Sequence, residues 1–128
     1  MKNWSAHFVF DVNFQWKTLE KCFTDIFNVI KGDKKITQEE EQVIMVKLEL
    51  NLREIQNNKK PLGFHSDDTE LTMIFPLDRK EMIISHYNPS ESVTEAAEKI
   101  SKILKAKKIK FSLEFDKMKL IEVIRSRR

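Results

Sequence analysis

Gln42-Val-Ile-Met-Val-Lys-Leu-Glu-Leu-Asn-Leu-Arg-Glu-Ile55 is the stretch whose reading decides how the rest of this chain is assembled. From Val46 onward apolar and polar residues alternate, with Val46, Leu48, Leu50 and Leu52 on one parity and Lys47, Glu49, Asn51 and Arg53 on the other. A period of two is that of a β-strand with one face on a core and one in water, so the pattern predicts a single long strand. Val43, Ile44, Met45 and Val46 are apolar at every position. Such a run needs cover on both faces, which marks the strand as central or as covered by a partner.

Toward the N-terminus, Trp4 to Phe14 also alternates, with Phe8, Phe10, Val12 and Phe14 on one side, and predicts a first strand rich in aromatic and β-branched residues. At Gln15 the period changes. Trp16, Leu19, Phe23, Ile26, Phe27 and Ile30 recur at spacings of three and four, the stripe of an amphipathic helix that Gly32 would end. Thr37-Gln-Glu-Glu40 has the form of a capping box and is read as at most one helical turn before the long strand.

Toward the C-terminus, residues 56–69 are dense in turn formers and read as a loop. Leu71, Met73, Phe75 and Leu77 predict a third strand, placed at a sheet edge by Pro76, which lacks a backbone donor. Residues 82–87 predict a fourth strand, joined to the third by a hairpin at Asp78 and Arg79. Asn88, Pro89 and Ser90 then open a second helix, striped by Val93, Ala96, Ala97, Ile100, Ile103 and Leu104. Ile109 to Phe115 alternates as a fifth strand, and residues from Asp116 to Arg128 form a short terminal helix or a further strand. The expected architecture is an α+β two-layer sandwich in the order β-α-β-β-β-α-β. It has a mixed five-stranded sheet and two main helices on one face.

The 128 residues amount to one domain, residues 1–128, with 41% hydrophobic and 34% charged side chains. This is the composition of a globular chain that buries a core without staples. Met1 to His7 lacks an apolar targeting core, and no run approaches a membrane span, so the expected setting is cytoplasmic with no membrane partner. Gly32 and Gly63 are the only glycines, too few for a Rossmann fingerprint or a P-loop. The single cysteine, Cys22, excludes an internal disulfide and any Cys-x-x-Cys chemistry, and reads as a buried small hydrophobe. Nothing in the sequence implies a cofactor.

Charge is unevenly distributed. Residues 102–128 hold ten Lys/Arg and three Asp/Glu, a net of +7, against 13 and 17, a net of −4, over residues 1–101. Lys105, Lys107, Lys108, Lys110, Arg125, Arg127 and Arg128 are therefore candidate phosphate contacts, since cations displacing counterions give sequence-independent affinity for RNA. The competing reading is that lysines in a helix's last turn complement its dipole and the basic terminus is solvated. His65, Asp67, Asp68 and His86 are the right residue types for a metal-assisted hydrolase, but their spacing matches no established ligand pattern. No Gly-x-Ser-x-Gly elbow surrounds a serine.

The open sheet face is expected to carry Val9, Ile74 and Ile83 among polar residues that include His7 and Asn51. With Val43, Met45 and Tyr87 these apolar residues form a candidate protein interface. In topology alone, the predicted order as far as Lys108 resembles that of the small ribosome-hibernation factors. Without its first strand it resembles that of double-stranded-RNA-binding domains, and no diagnostic motif accompanies either likeness. The resemblance implies contact with RNA or the ribosome. The leading expectation is a non-catalytic interaction or regulatory module that binds a protein partner and self-associates through its sheet face or edge. An RNA- or ribosome-contacting module using the basic C-terminal third is the alternative, and a small metal-assisted hydrolase a second alternative.

Overall fold

A computed structural model of the chain describes residues 2–32, 35–65 and 71–116. Strand β1 (Asn3–Phe10) lies at the centre of a four-stranded sheet, paired antiparallel with β3 (Glu81–Ser90) on one side and β4 (Phe111–Phe115) on the other. The short β2 (Thr72–Ile74) adds to the outer side of β3, giving the order β2-β3-β1-β4. Because β3 and β4 both run against β1, they are parallel to each other, and helix α3 (Glu91–Ala106) is the crossover between them. Before β2 the chain forms a 3-10 turn (Trp16–Lys21), α1 (Phe23–Lys31) and α2 (Gln38–Gln56).

The α+β class holds, while the sheet differs from the expected one. It is four-stranded and antiparallel rather than five-stranded and mixed, because residues 42–55 are helical rather than extended. Length alone argues against the strand. Fourteen extended residues would reach about 46 Å, whereas a domain of this size is only about 36 Å across. Ile44, Leu48, Leu52 and Ile55 recur at spacings of four and three, and they form the inward face of α2. Its start is closed by the Thr37 capping box, in which Thr37 Oγ1 accepts from Glu40 N at 3.1 Å and the Glu40 carboxylate accepts from Thr37 N at 3.4 Å. Glu39, Glu40 and Glu41 in the first turn complement the helix dipole. The capping box therefore opens a helix of 19 residues rather than a single turn. With the three-strand meander gone, the topological resemblance to ribosome-hibernation factors and double-stranded-RNA-binding domains lapses.

Other expectations hold with adjusted limits. The first predicted helix divides into the 3-10 turn and α1, and Gly32, at φ +73°, closes α1 with its N–H on the Asn28 carbonyl. Strand β2 is an edge strand, as Pro76 required, and Ser90 caps α3 by accepting from Ser92 N at 3.0 Å. Residues 117–128, on which a terminal helix or strand was expected, lie outside the described residues.

Even-numbered residues of β1 and β3, among them Ala6, Phe8, Phe10, Met82 and Ile84, face the helices and form the core with α1 and α3. Helix α3 packs on β1 and β3, and α1 packs on α3. Helix α2 packs on the 3-10 turn and on α1, so the body covers one of its faces. No helix among the described residues is long and apolar enough to cross a membrane.

A buried amide helps fasten α2 to the chain that follows it. Asn51, expected on a solvated strand face, is buried. Its Oδ1 accepts from Gly63 N at 2.8 Å, and its Nδ2 donates to Gly63 O at 2.9 Å and to Lys47 O at 2.8 Å. The next residue, Phe64, exchanges both backbone hydrogen bonds with Met73 of β2. Gly63 sits at φ +92°, and a Cβ there would come within 2.5 Å of the Met73 carbonyl oxygen, so only glycine allows this approach. Asn51→Ala leaves both Gly63 backbone groups without their partner. Urea denaturation should show a loss of about 2–4 kcal/mol, at one or more per orphaned buried group.

Candidate functional site

Helix α2 carries two apolar faces. At 100° per residue, Ile44, Leu48, Leu52 and Ile55 point one way and Val43, Val46 and Leu50 the other. The second set is left to solvent, with Val43 55%, Val46 54% and Leu50 40% exposed, and Leu62 joins it at 63%. Valine lowers helix propensity slightly, so Val43 and Val46 do not serve the helix itself, and with Leu50 and Leu62 they form a contiguous exposed apolar group. Glu39 and Arg53, both exposed, lie on the same stripe at its two ends.

Beside this stripe runs an open groove of about 370 Å³ between α2, residues 62–65 and β2. Leu50 and Leu62 form one rim, with Ile74 and Phe75 also among the lining residues. The Lys47 ammonium donates to the His65 carbonyl at 2.8 Å and lies 5.5 Å from the Phe64 ring centroid. Phe64 is itself buried against Phe27, ring centroids 4.6 Å apart, which holds the groove floor to the core. The groove is thus a largely apolar trough with a cation along one side.

The second face of the sheet differs from the expected open surface. Ser5, His7, Glu81 and Ile83 are buried there, and Val9 and Ile74 are half-buried. His7 Nδ1 lies 2.9 Å from Glu81 Oε1, and His7 Nε2 lies 3.0 Å from Ser5 Oγ. With the carboxylate as acceptor, Nδ1 donates to Glu81, and Nε2 shares one proton with the Ser5 hydroxyl in the direction set by the ring's charge. Arg79 reaches the other Glu81 oxygen at 3.3 Å. The connectivity is that of a serine–histidine–acid relay, which sequence reading missed. Ser5 and His7 share a face by their i, i+2 spacing, whereas Glu81 joins them through the pairing of β1 with β3. Ser5, His7 and Glu81 are all buried and form a hydrogen-bonded polar cluster within the fold.

The remaining candidates are dispersed. Lys105, Lys107, Lys108 and Lys110 are exposed around the turn from α3 to β4, while Arg125, Arg127 and Arg128 lie outside the described residues. His65 is exposed with Nδ1 3.2 Å from Thr72 Oγ1, and His86 Nδ1 lies 3.1 Å from Asn88 N. Asp67 and Asp68 lie outside the described residues, among which no group of three or more His, Cys, Asp or Glu is placed to hold a metal. Tyr87 is exposed and stacks on His86 at 4.5 Å. Val43 is on the outer stripe of α2, whereas Met45, also exposed, flanks its inward face. Ile83, placed in the candidate interface, is buried within the chain, because the second sheet face is not open.

Cys22 is buried just before α1, and burial, reinforced by the Asp25 charge, pushes its thiol up to about 11. Comparisons with protein-family models, with curated proteins and with solved structures return no match.

Glu81→Gln keeps the shape of the His7 partner and removes its charge, so equilibrium unfolding should show a loss of about 1–3 kcal/mol; Ser5→Ala, removing the hydroxyl that meets His7, should cost about 1 kcal/mol or more. For Cys22 the protonated form is the one the fold favours. Its contribution is complete below the ordinary value of 9.0 and is lost as pH rises toward about 11. Native protein at pH 8 should resist thiol alkylation that goes to completion in denaturant, and stability measured from pH 8 to 11 should fall more in wild type than in Cys22→Ala.

Proposed function

We propose that this chain acts by binding a protein partner rather than by catalysis, and that the docking surface is the outer face of α2 with the adjoining groove. The observation that supports this reading is the stripe of Val43, Val46 and Leu50, continued by Leu62, which stays exposed although the same helix buries a separate apolar face in the core. A fold needs only one apolar face per helix. The second face is complementary to the apolar stripe of another amphipathic helix, laid along α2 over Val43, Val46 and Leu50 with Leu62 beside them. The adjoining groove is held open by the Asn51 clamp and the buried Phe64, so binding needs little ordering of this surface.

The lysines at the end of α3 are a weaker basis for function. Lys105 lies in the last turn of α3, where positive charge complements the dipole, and Lys107 caps it.

A photo-crosslinking amino acid placed at Val46 tests the reading. Irradiation in cells producing the chain should give a discrete protein adduct, absent when the same group replaces the exposed Lys99 on α3. Equal, diffuse labelling at both positions would remove α2 as the docking surface.

A further inference from the structure

We infer that the outer face of α2 is self-complementary and that its occupant is a second copy of this chain, docked antiparallel about Val46. This rests on the reading of that face as a protein-binding surface, and it names the partner.

Positions 39, 43, 46, 50 and 53 are spaced four, three, four and three residues apart, the repeat that keeps one seam facing a neighbouring helix. Along that seam the residues are Glu39, Val43, Val46, Leu50 and Arg53, an apolar centre closed by an acid at one end and a base at the other. All five are exposed. Over these positions the seam spans about 21 Å at 1.5 Å per residue.

Glu39 and Arg53 are equally distant from Val46, and Val43 and Leu50 nearly so. A two-fold axis at Val46 with the helices antiparallel therefore sets Val46 against its own copy, Val43 against the partner's Leu50, and Glu39 against the partner's Arg53. Every contact off the axis occurs twice, as an isologous interface requires, and both charged ends are paired with opposite charge. A parallel alignment would place Glu39 against Glu39 and Arg53 against Arg53, two repulsions at the ends of the same apolar centre. Exposed ion pairs add little affinity, but they select the alignment. Leu62, which shares the groove wall with Leu50, widens the apolar contact beyond the helices themselves. The α2 surface faces away from the 3-10 turn and α1, so the second copy displaces none of the described elements.

Sedimentation equilibrium of the purified chain, paired with cysteine crosslinking, tests this. Wild type should self-associate at micromolar concentration, Val46→Glu should weaken the dimer at least tenfold with unchanged circular dichroism, and Glu39→Arg or Arg53→Glu should each weaken it. The double variant Glu39→Arg with Arg53→Glu should restore the affinity lost in either single one. Under mild oxidation Val46→Cys should link to itself, whereas Glu39→Cys and Arg53→Cys should link in a mixture of the two; Cys22 is buried and does not compete. A chain that stays monomeric at the highest attainable concentration overturns self-docking, as does a dimer indifferent to Val46→Glu or a Glu39→Cys variant that links to itself. If the monomeric chain still gives a discrete adduct with another protein from position 46, the docking surface stands and only its occupant changes. A monomer with no adduct overturns both readings.

Discussion

A buried amide ties α2 to the segment that leads into the edge of the sheet. Asn51, buried on α2, presents one acceptor and one donor to Gly63, so the side chain does for one residue what a neighbouring strand does for many. Through Gly63 the clamp reaches Phe64, whose backbone pairs with Met73, and through Met73 it reaches β2 and β3. The attachment of α2, the course of residues 62–65 and the outer edge of the sheet are thus mechanically one unit. Inside a protein such amide pairs gain strength from the low dielectric and are costly to lose, which is why a polar residue sits at the centre of the helix's inward face.

Most of the fold is legible locally. Strand β1, the hairpin of β2 and β3, the capped start of α3 and strand β4 all follow from alternation, turn residues and capping signals that lie within a dozen residues of each other. Residues 42–55 are the exception because they satisfy two periods at once. Val46, Leu48, Leu50 and Leu52 alternate, while Ile44, Leu48, Leu52 and Ile55 recur at helical spacing. The deciding signals were present in the sequence: the capping box at Thr37, three glutamates in the first turn, and a length too great for a strand in so small a domain. Reading the period alone let four alternating residues outweigh them, and the sheet then gained a strand it does not have.

The chemistry of the site was less legible, and for a different reason. The apolar run at Val43 to Val46 spans two faces, and whether those are the two sides of a strand or opposite sides of a helix changes which residues point outward. Val43 stays on the surface in either case, whereas Leu50 passes from a predicted core position to the exposed stripe. The Ser5, His7 and Glu81 cluster illustrates the other limit. Two members are two residues apart, yet the third arrives from more than seventy residues away through strand register, which depends on the whole sheet being assembled. Local patterns can place residues on a face without naming what lies across from it.

The pairing of Phe64 with Met73 has a consequence for the sheet border. Strand β2 is only three residues long, and its outer side would otherwise present unpaired amide and carbonyl groups to any passing extended chain. Phe64 occupies both central hydrogen-bonding positions, and Pro76, just beyond, has no amide to offer. Release of this segment from α2 would uncover a short apolar template flanked by Leu71 and Phe75, the kind of border along which chains recruit one another into aggregates. The small clamp on Gly63 therefore also keeps the outer side of β2 paired, so its loss would raise the tendency to aggregate as well as lower the stability of one folded molecule.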